Sequence, residues 1–193
     1  NRSSDLAIKN SGIFYMGEDE SDYELVLSGL HNLIIGSADP ANPATVICKA
    51  AFSRVLYFEN CTNVSLNHLI MGHNIAYGEC AGDVLGLDGT SYVKIDGCDL
   101  YGCGVYGISF YQCWSVEITD TKIHDCTYGC IYASESNWIN VMGSQFYDCD
   151  GGTMFAAYDS TMDFTECGFK NLNGDMLQLY NGMGYVYFSD CHS

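Results

Sequence analysis

The chain has 193 residues, which suits one domain, and 48% of them are hydrophobic, enough for a sizeable core. Seven basic residues against 24 acidic ones give a net charge of -17, and so negative a surface repels nucleic acid and anionic lipid. No run approaches the roughly 18 apolar residues that cross a bilayer, and the N-terminus lacks the apolar segment of a signal peptide. The composition therefore predicts neither a nucleic-acid nor a membrane partner.

The middle of the chain repeats at a fixed interval. The segments CDLYGCGVYGI, TKIHDCTYGCI, SQFYDCDGGTM and, more faintly, CGFKNLNGDML begin at Cys98, Thr121, Ser144 and Cys167, so each step is 23 residues. A period of this size is typical of repeat architectures, in which each repeat buries its inner face only by stacking on its neighbours.

Apolar residues alternate within each repeat, which indicates strands rather than helices. Three short strands per repeat are expected, each stacking about 4.8 Å above its equivalent. The inward columns of the three strands are Val93, Val116, Ile139 and Met162; Leu100, Ile123, Phe146 and Phe169; and Ile108, Ile131, Met154 and Leu177. The pattern predicts an all-β coil of three parallel sheets with about 23 residues per rung.

Two steps depart from the period. From Leu56 to Leu85 the step is 29 residues, which predicts an inserted loop at residues 73–82. From Met162 to Val186 the step is 24 residues, a slip of one. We expect residues 1–193 to form one domain, with residues 1–29 as its N-terminal rung.

The eleven cysteines are an odd number, so at least one has no partner within the chain. Four of them lie one period apart and are expected to form a buried, mostly reduced column: Cys80, Cys103, Cys126 and Cys149. Others are expected on a second inward column that also holds Thr121 and Ser144: Cys98, Cys167 and Cys191.

The segments LYFENCTNVSLNHLIMGH (residues 56–73) and IDGCDLYGCGVYGI (residues 95–108) resemble rungs of the bacterial right-handed β-helix repeat proteins of the pectate-lyase-like superfamily. The stretch from Ile13 to Cys48 is similar to the segment that opens the coil in that family. The resemblance implies a single-stranded right-handed parallel β-helix. It leaves function open, because the superfamily includes lyases, hydrolases, epimerases and adhesins.

Outward residues of the second strand offer the first candidate site. They are Asp99, Lys122, Gln145 and Gly168, with Tyr101, His124, Tyr147 and Lys170 beside them. A polysaccharide lyase needs a base for the proton α to a uronate carboxylate and a cation for the resulting anion. Lys122 or His124 could be that base, and Asp99 or Asp125 could hold Ca²⁺. The alternative is a sheet face whose polar side chains satisfy one another.

The inserted loop and the acidic corners add further candidates. The loop is expected to bring His73, Tyr77 and Glu79 towards the same row, and a metal site there would need a third ligand such as Asp83. A glycosidase needs two carboxylates a few ångströms apart. Asp148 could pair with Asp125 or Asp150, although acidic corners more often cap turns.

The outward row of the third strand is rich in aromatic residues. The aromatic residues expected on it are Tyr132, Phe155, Tyr111 and Tyr180. Such a row suits stacking of sugar rings, and it also suits a protein contact or an aromatic ladder between rungs. With Tyr101, Tyr147 and Tyr77 these residues form the predicted substrate-binding set.

These patterns favour an extracellular or cell-surface module that binds carbohydrate or a protein surface without catalysis. The alternatives are a polysaccharide lyase or glycoside hydrolase acting through Lys122, His124 and Asp125, and a structural solenoid that stacks end to end. No cofactor is expected, although Ca²⁺ could bind at Asp99 or Glu79. The strand near Val186 and Phe188 would expose unpaired backbone groups. We expect that the chain is cut from a longer protein; the alternatives are end-to-end self-association through that edge and a segment that covers it.

Overall fold

A computed structural model describes residues 4–8, 12–16, 24–102, 104–180 and 182–193, the first of these ranges by its backbone. Twenty strands and no helix occur in these ranges, and no apolar helix in them could cross a membrane. The strands pair in parallel with their equivalents one turn away. The predicted all-β parallel coil is therefore confirmed.

The strands are, in chain order, β1 (Ser4–Ile8), β2 (Ile13–Met16), β3 (Val26–Ser28), β4 (His31–Ser37), β5 (Ala44–Cys48), β6 (Leu56–Glu59), β7 (Thr62–Asn67), β8 (Leu69–His73), β9 (Leu85–Asp88), β10 (Ser91–Asp96), β11 (Asp99–Tyr101), β12 (Tyr106–Tyr111), β13 (Trp114–Thr119), β14 (Lys122–His124), β15 (Gly129–Ser134), β16 (Asn137–Met142), β17 (Gln145–Tyr158), β18 (Thr161–Thr165), β19 (Gly168–Tyr180) and β20 (Tyr185–Ser189).

The first face of the coil is an eight-stranded sheet in the order β1-β4-β7-β10-β13-β16-β18-β20. The second face contains β2, β5, β8, β11, β14 and the start of β17, and the third face contains β3, β6, β9, β12, β15 and the end of β17. The prediction of three separate sheets is wrong, because β17 joins the second and third faces into one hydrogen-bonded sheet. Gly151 takes a φ of 97° within β17, which lets the strand turn the corner without ending.

The predicted inward columns stack rung upon rung. Val93 lies opposite Val116, which lies opposite Ile139 on the first face. On the second face Ile123 lies opposite Phe146. These side chains are fully or almost fully buried in one continuous core. Residues 74–84 connect β8 to β9 without a strand of their own, and His73, the first residue of the predicted loop, is the last residue of β8.

One predicted column is wrong on the third face. Ile131 lies opposite Phe155 rather than Met154, because the chain carries one extra residue between Tyr147 and Phe155. A register shift between Asp150 and Thr153 in the pairing of β17 with β19 removes the offset again. The side-chain period of a strand is 2, so this slip turns Phe155 inward and places Tyr158 opposite Ser134 in the outward row.

Hydroxyl and thiol side chains line the inner side of the corner between the third and first faces, a feature that the sequence analysis missed. The backbone N–H of Cys113 donates to Ser136 Oγ at 3.0 Å, and the N–H of Ser136 donates to Ser160 Oγ at 2.9 Å. Ser136 Oγ in turn donates to the carbonyl of Ser134 at 2.9 Å. Each fully buried hydroxyl therefore satisfies a backbone donor of the rung below it.

We expect Ser136→Ala to lower the free energy of unfolding by about 1–3 kcal/mol, because the buried N–H of Cys113 loses its acceptor. Ser136→Cys is the matched control. It should lose less than half as much, since Cys61 and Cys113 occupy this column in other rungs. Urea titration of both variants gives the comparison, and equal losses would contradict the role of the hydroxyl.

The thiols lie mainly inside the coil. Cys80, Cys126 and Cys149 are buried, whereas Cys103, the fourth member of the predicted column, lies outside the described residues. Hydrogen bonds from Cys126 and Cys130 lower the pKa of the Cys149 thiol. Burial raises the pKa of Cys98 to about 11, which makes that thiol a poor nucleophile. The mostly reduced state remains a prediction.

The last strand lies at one edge of the first face. β20 pairs with β18, and Phe188 lies opposite Phe164. Tyr185 and Tyr187 project outwards and are exposed. Self-association through this edge remains a prediction.

Candidate binding surfaces

Three rings form a column on the second face. The His124 ring lies 4.5 Å from the Tyr147 ring and 5.8 Å from the Tyr101 ring, at interplanar angles of 8° and 18°. Gly72 lies below Tyr101, where a β-carbon would come within 2.6 Å of the ring. The structure thus brings the predicted residues together, but their ring faces cover one another and leave edges and hydroxyls for a ligand.

Two carboxylates hold His124 from both sides. Its Nε2 lies 2.7 Å from Asp99 Oδ1 and its Nδ1 lies 2.5 Å from Asp125 Oδ2. Burial lowers the pKa of His124, but the hydrogen bonds and charges of these two aspartates outweigh it and raise the pKa above 6.5. The imidazolium form, which donates from both nitrogens, is therefore favoured, and neither nitrogen is available to accept a substrate proton.

Lys122 completes this charged cluster at longer range. Its Nζ lies 4.0 Å from Asp99 Oδ2, and the lysine side chain is about half exposed. An exposed pair at this distance contributes little to stability. Lys122 is therefore the predicted base that stays accessible to a ligand.

We expect the clamp on His124, meaning its two hydrogen bonds to Asp99 and Asp125, to make the stability of the protein depend on pH. A pKa raised in the folded state gives a contribution that is fully present below about pH 6.5 and is lost as the pH rises through the folded-state pKa. The urea midpoint should therefore fall as the pH rises above about 6.5. His124→Gln should flatten this fall, whereas His31→Gln, at an exposed position of β4, should keep it. An unchanged profile in His124→Gln would contradict the clamp.

The inserted loop reaches across the corner between the second and third faces. Tyr77 donates to Asp150 Oδ2 at 2.5 Å, and Asn173 Nδ2 donates to Asp150 Oδ1 at 2.7 Å. Tyr101, Asp125 and the loop line a cavity of about 180 Å³. The loop therefore covers the edge of the charged cluster, as its predicted position implies.

The acidic corner is held by hydrogen bonds. Asp148 accepts from Asn171 at 2.7 Å, and Asp150 has the two partners described above. Asp125 and Asp148 have positive φ values of 54° and 53°. These acids occupy the tight corner position that Asp and Asn tolerate best, which favours a structural role over a glycosidase pair.

The predicted metal ligands do not converge. His73 is buried with Nε2 2.8 Å from the carbonyl of Ser53, and burial lowers its pKa. Asp83 is held by Arg54, Ser109 and the Tyr106 N–H in the third-face pocket described below. Within the described part of the chain, no three His, Cys, Asp or Glu side chains are placed to hold a metal ion, including any set around Asp99 or Glu79.

The third face presents a patch of tyrosines, here called the tyrosine face. Tyr132 is its centre, with ring centroids 5.3 Å from Tyr111, 5.3 Å from Tyr106 and 5.5 Å from Tyr158. The patch consists of Tyr106, Tyr111, Tyr128, Tyr132, Tyr158 and Tyr180. The rings around Tyr132 are tilted by 40–42° to it, so the Tyr132 ring is not covered by close parallel stacking.

The assignment of Phe155 to this binding surface is wrong, because the register slip buries it completely. Tyr158 takes its place and stacks on Tyr180 at 3.9 Å. Tyr106 was missed as well, although a signal existed. Its register partner is Gly129, and a β-carbon there would lie 2.7 Å from the Tyr106 ring. A glycine in register with a tyrosine of the neighbouring rung therefore indicates that the tyrosine ring lies over the glycine.

A charged pocket adjoins the tyrosine face. Arg54 Nη1 lies 3.0 Å from both carboxylate oxygens of Glu24, and Arg54 Nε donates to Asp83 Oδ2 at 3.3 Å. Asp83 also accepts from the Tyr106 N–H at 2.9 Å and from Ser109 Oγ at 2.7 Å.

Arg54 and Asp83 line a pocket of about 340 Å³ whose walls also include Phe52, Tyr106, Tyr111 and Tyr132. Burial raises the pKa of Tyr111 and, more strongly, of Tyr106, so both hydroxyls remain hydrogen-bond donors at neutral pH. The pocket therefore combines ring faces, hydroxyls and a fixed charge.

Comparison with known proteins identifies the same architecture in a protein family and in solved structures. The family model of a right-handed β-helix region matches residues 54–192. A search of curated protein sequences finds no match.

Solved structures of similar fold include a glycosyl hydrolase-like protein of Parabacteroides merdae, with 14% identity, a TM-score of 0.56 and coverage of 98% of this chain and 82% of that one. Tailspike protein 2 of the Escherichia coli O157:H7 bacteriophage CAB120 has 17% identity, a TM-score of 0.58 and coverage of 86% and 25%. An alginate lyase of Paenibacillus has 11% identity, a TM-score of 0.51 and coverage of 100% and 93%. At these identities the likeness concerns the fold.

Proposed function

The chain belongs to the right-handed β-helix family, and from that premise we propose that it is a non-catalytic module that binds carbohydrate on its tyrosine face. The observation that carries the proposal is the set of tilted tyrosine rings around the Arg54–Asp83 pocket. A tyrosine offers a ring face to the C–H side of a sugar and a hydroxyl to its rim. Arg54 and Asp83 add a fixed donor and a fixed acceptor beside the rings.

The arrangement of the second face supports binding over catalysis. His124 has both nitrogens engaged by Asp99 and Asp125, so it would have to break a charge-assisted hydrogen bond before it could act as a base. The corner acids are likewise engaged with amide and hydroxyl partners.

The names of the similar structures support the ligand class. One is an alginate lyase and another a glycosyl hydrolase-like protein, so the fold accommodates carbohydrate as a ligand. We expect the module to work outside the cell or at its surface, where large polysaccharides lie. A protein surface is the second kind of partner that an exposed tyrosine patch would suit.

The exposed ammonium group of Lys122, 4.0 Å from Asp99, favours a lyase as the alternative. Under that alternative Lys122 removes the α-proton of a uronate, and a cation such as Ca²⁺ stabilises the anion.

A glycan array combined with a product assay tests the proposal. Binding without release of unsaturated uronate products, with or without Ca²⁺, is the expected result, and Tyr132→Ala should weaken it by about two- to tenfold. Lys122→Ala should leave this binding intact. Turnover that disappears in Lys122→Ala or His124→Ala would instead establish the lyase, and absence of any bound glycan would overturn the carbohydrate proposal.

A further inference from the structure

Both tryptophans of the chain lie at the start of first-face strands, Trp114 in β13 and Trp138 in β16, across one corner from the tyrosine face. The ring of Trp114 lies 5.9 Å from that of Trp138, at an interplanar angle of 33°, and 5.6 Å from that of Tyr92, at 46°. Trp114 is 45% exposed and Trp138 is 59% exposed. Such large apolar rings are seldom left in water on three successive rungs without a partner.

The backbone at this corner shows that the exposed rings are costly. Asn32, Asn63, Tyr92, Ser115 and Trp138 are equivalent positions in successive rungs, and all have φ between 56° and 59°. Asparagine tolerates this left-handed conformation, and the first two rungs use it. Placing Tyr92 and Trp138 there adds strain while both side chains stay more than half exposed, and such strain concentrates at ligand-binding sites.

Polar side chains lie beside the tryptophans. Gln112 Nε2 donates to Glu135 Oε2 at 2.9 Å, and Asn137 follows in the same rung as Glu135. Together with Trp114 and Trp138 these residues line a groove of about 490 Å³ on the surface, here called the tryptophan groove. It thus pairs two ring faces with amide and carboxylate groups that can bond to hydroxyls.

The geometry and charge of the groove select among ligands. The tryptophan rings are one rung apart and tilted by 33°, and both are about half exposed, so each presents part of its ring surface to a separate ring of a chain that runs along the coil axis. Glu135 at the groove and the net charge of -17 disfavour uronate polymers and nucleic acid. A neutral polysaccharide satisfies the ring faces and the hydrogen-bonding groups without charge repulsion.

From these observations we infer that the tryptophan groove binds a neutral polysaccharide, with successive sugar rings on Trp114 and Trp138 and their hydroxyls on Gln112, Glu135 and Asn137. This inference takes its ligand class, carbohydrate, from the proposed function, but it concerns a different surface. The groove and the tyrosine face flank one corner, since Tyr111 precedes Gln112 in the chain.

Intrinsic fluorescence gives a test that is specific to the groove, because the chain has two tryptophans and both line it. Titration with a soluble β-glucan, galactomannan or arabinoxylan should shift the tryptophan emission to the blue and protect it from acrylamide quenching. Alginate and polygalacturonate, the acidic probes, should do neither. Affinity electrophoresis in gels containing the same polysaccharides measures binding independently of the fluorescence.

The Trp114→Ala/Trp138→Ala variant should bind the neutral polysaccharide at least about tenfold more weakly, because it loses both stacking faces. Met142→Ala is the matched control, since Met142 is exposed at the far end of the strand that carries Trp138. Circular dichroism checks that the variants stay folded.

The outcomes separate this inference from the proposed function. A neutral polysaccharide could be retained, and Tyr132→Ala could weaken its binding, while the tryptophan emission stays unchanged and the tryptophan variant has no effect. That result would overturn binding at the tryptophan groove and leave the proposed binding at the tyrosine face standing. Retention of no polysaccharide of either kind would overturn both. Emission changes produced by alginate to the same extent would refute the selection of neutral chains.

Discussion

Replacing Phe155 by alanine is expected to lower the free energy of unfolding by about 3–5 kcal/mol. Phe155 is completely buried, and its ring lies 4.8 Å from Phe164 and 5.1 Å from Phe146. Removing it leaves a cavity in the centre of an aromatic cluster that neighbouring rungs share. The uncorrected 23-residue repeat would place Phe155 on the surface and predict a loss of less than about 0.5 kcal/mol.

Phe52→Ala is the matched control, because Phe52 is 75% exposed. It should change stability by about 0.5 kcal/mol or less. Urea titration followed by circular dichroism and by tyrosine fluorescence compares the two variants and shows whether the coil unfolds in one transition. A Phe155→Ala protein as stable as Phe52→Ala would mean that the register slip in β17 is absent.

Replacing Asp83 by alanine is expected to cost about 3 kcal/mol. Its carboxylate accepts hydrogen bonds from the Tyr106 N–H, Ser109 Oγ and Arg54 Nε. Ser109 is almost fully buried, so its hydroxyl and the Tyr106 N–H would lose their acceptor away from water. Arg54 would keep Glu24 as its ion-pair partner. Because the Arg54 side chain is partly exposed, water limits the electrostatic part of the loss.

Asp88→Ala is the matched control. It removes a carboxylate from the same face and so shows how much of the loss is specific to Asp83. Asp88 accepts a single, longer hydrogen bond of 3.3 Å from Tyr57 and is only partly buried. It should cost less than about 1 kcal/mol. Equal urea midpoints for the Asp83 and Asp88 variants would show that Asp83 does not organise the pocket.

Much of the fold was predictable from the sequence, because stacking places like residues on like. Val93, Val116 and Ile139 recur at 23-residue steps and lie opposite one another in the structure. The 29-residue step between Leu56 and Leu85 likewise appears in the pairing of β6 with β9. A parallel coil repeats its hydrogen bonds at every rung, so its period is visible as a repeat in the amino-acid sequence.

The candidate surfaces were less predictable, since they depend on contacts that no period encodes. Arg54 meets Glu24 and Asp83 from separate turns of the chain, and the loop carries Tyr77 to Asp150 across 73 residues. The aromatic row of the third strand was recognised, yet its membership was not, because one extra residue exchanged Phe155 for Tyr158.

The sequence by itself determined the parallel coil and the inward columns of its first two faces. These follow from two periods, two residues along a strand and 23 along the coil. Only the tertiary structure decided which rings cover one another, which faces stay open and which carboxylates hold His124. The physical reason is that a rung's backbone repeats, whereas ring tilt, a one-residue bulge and an ion pair between turns depend on the particular neighbours above and below.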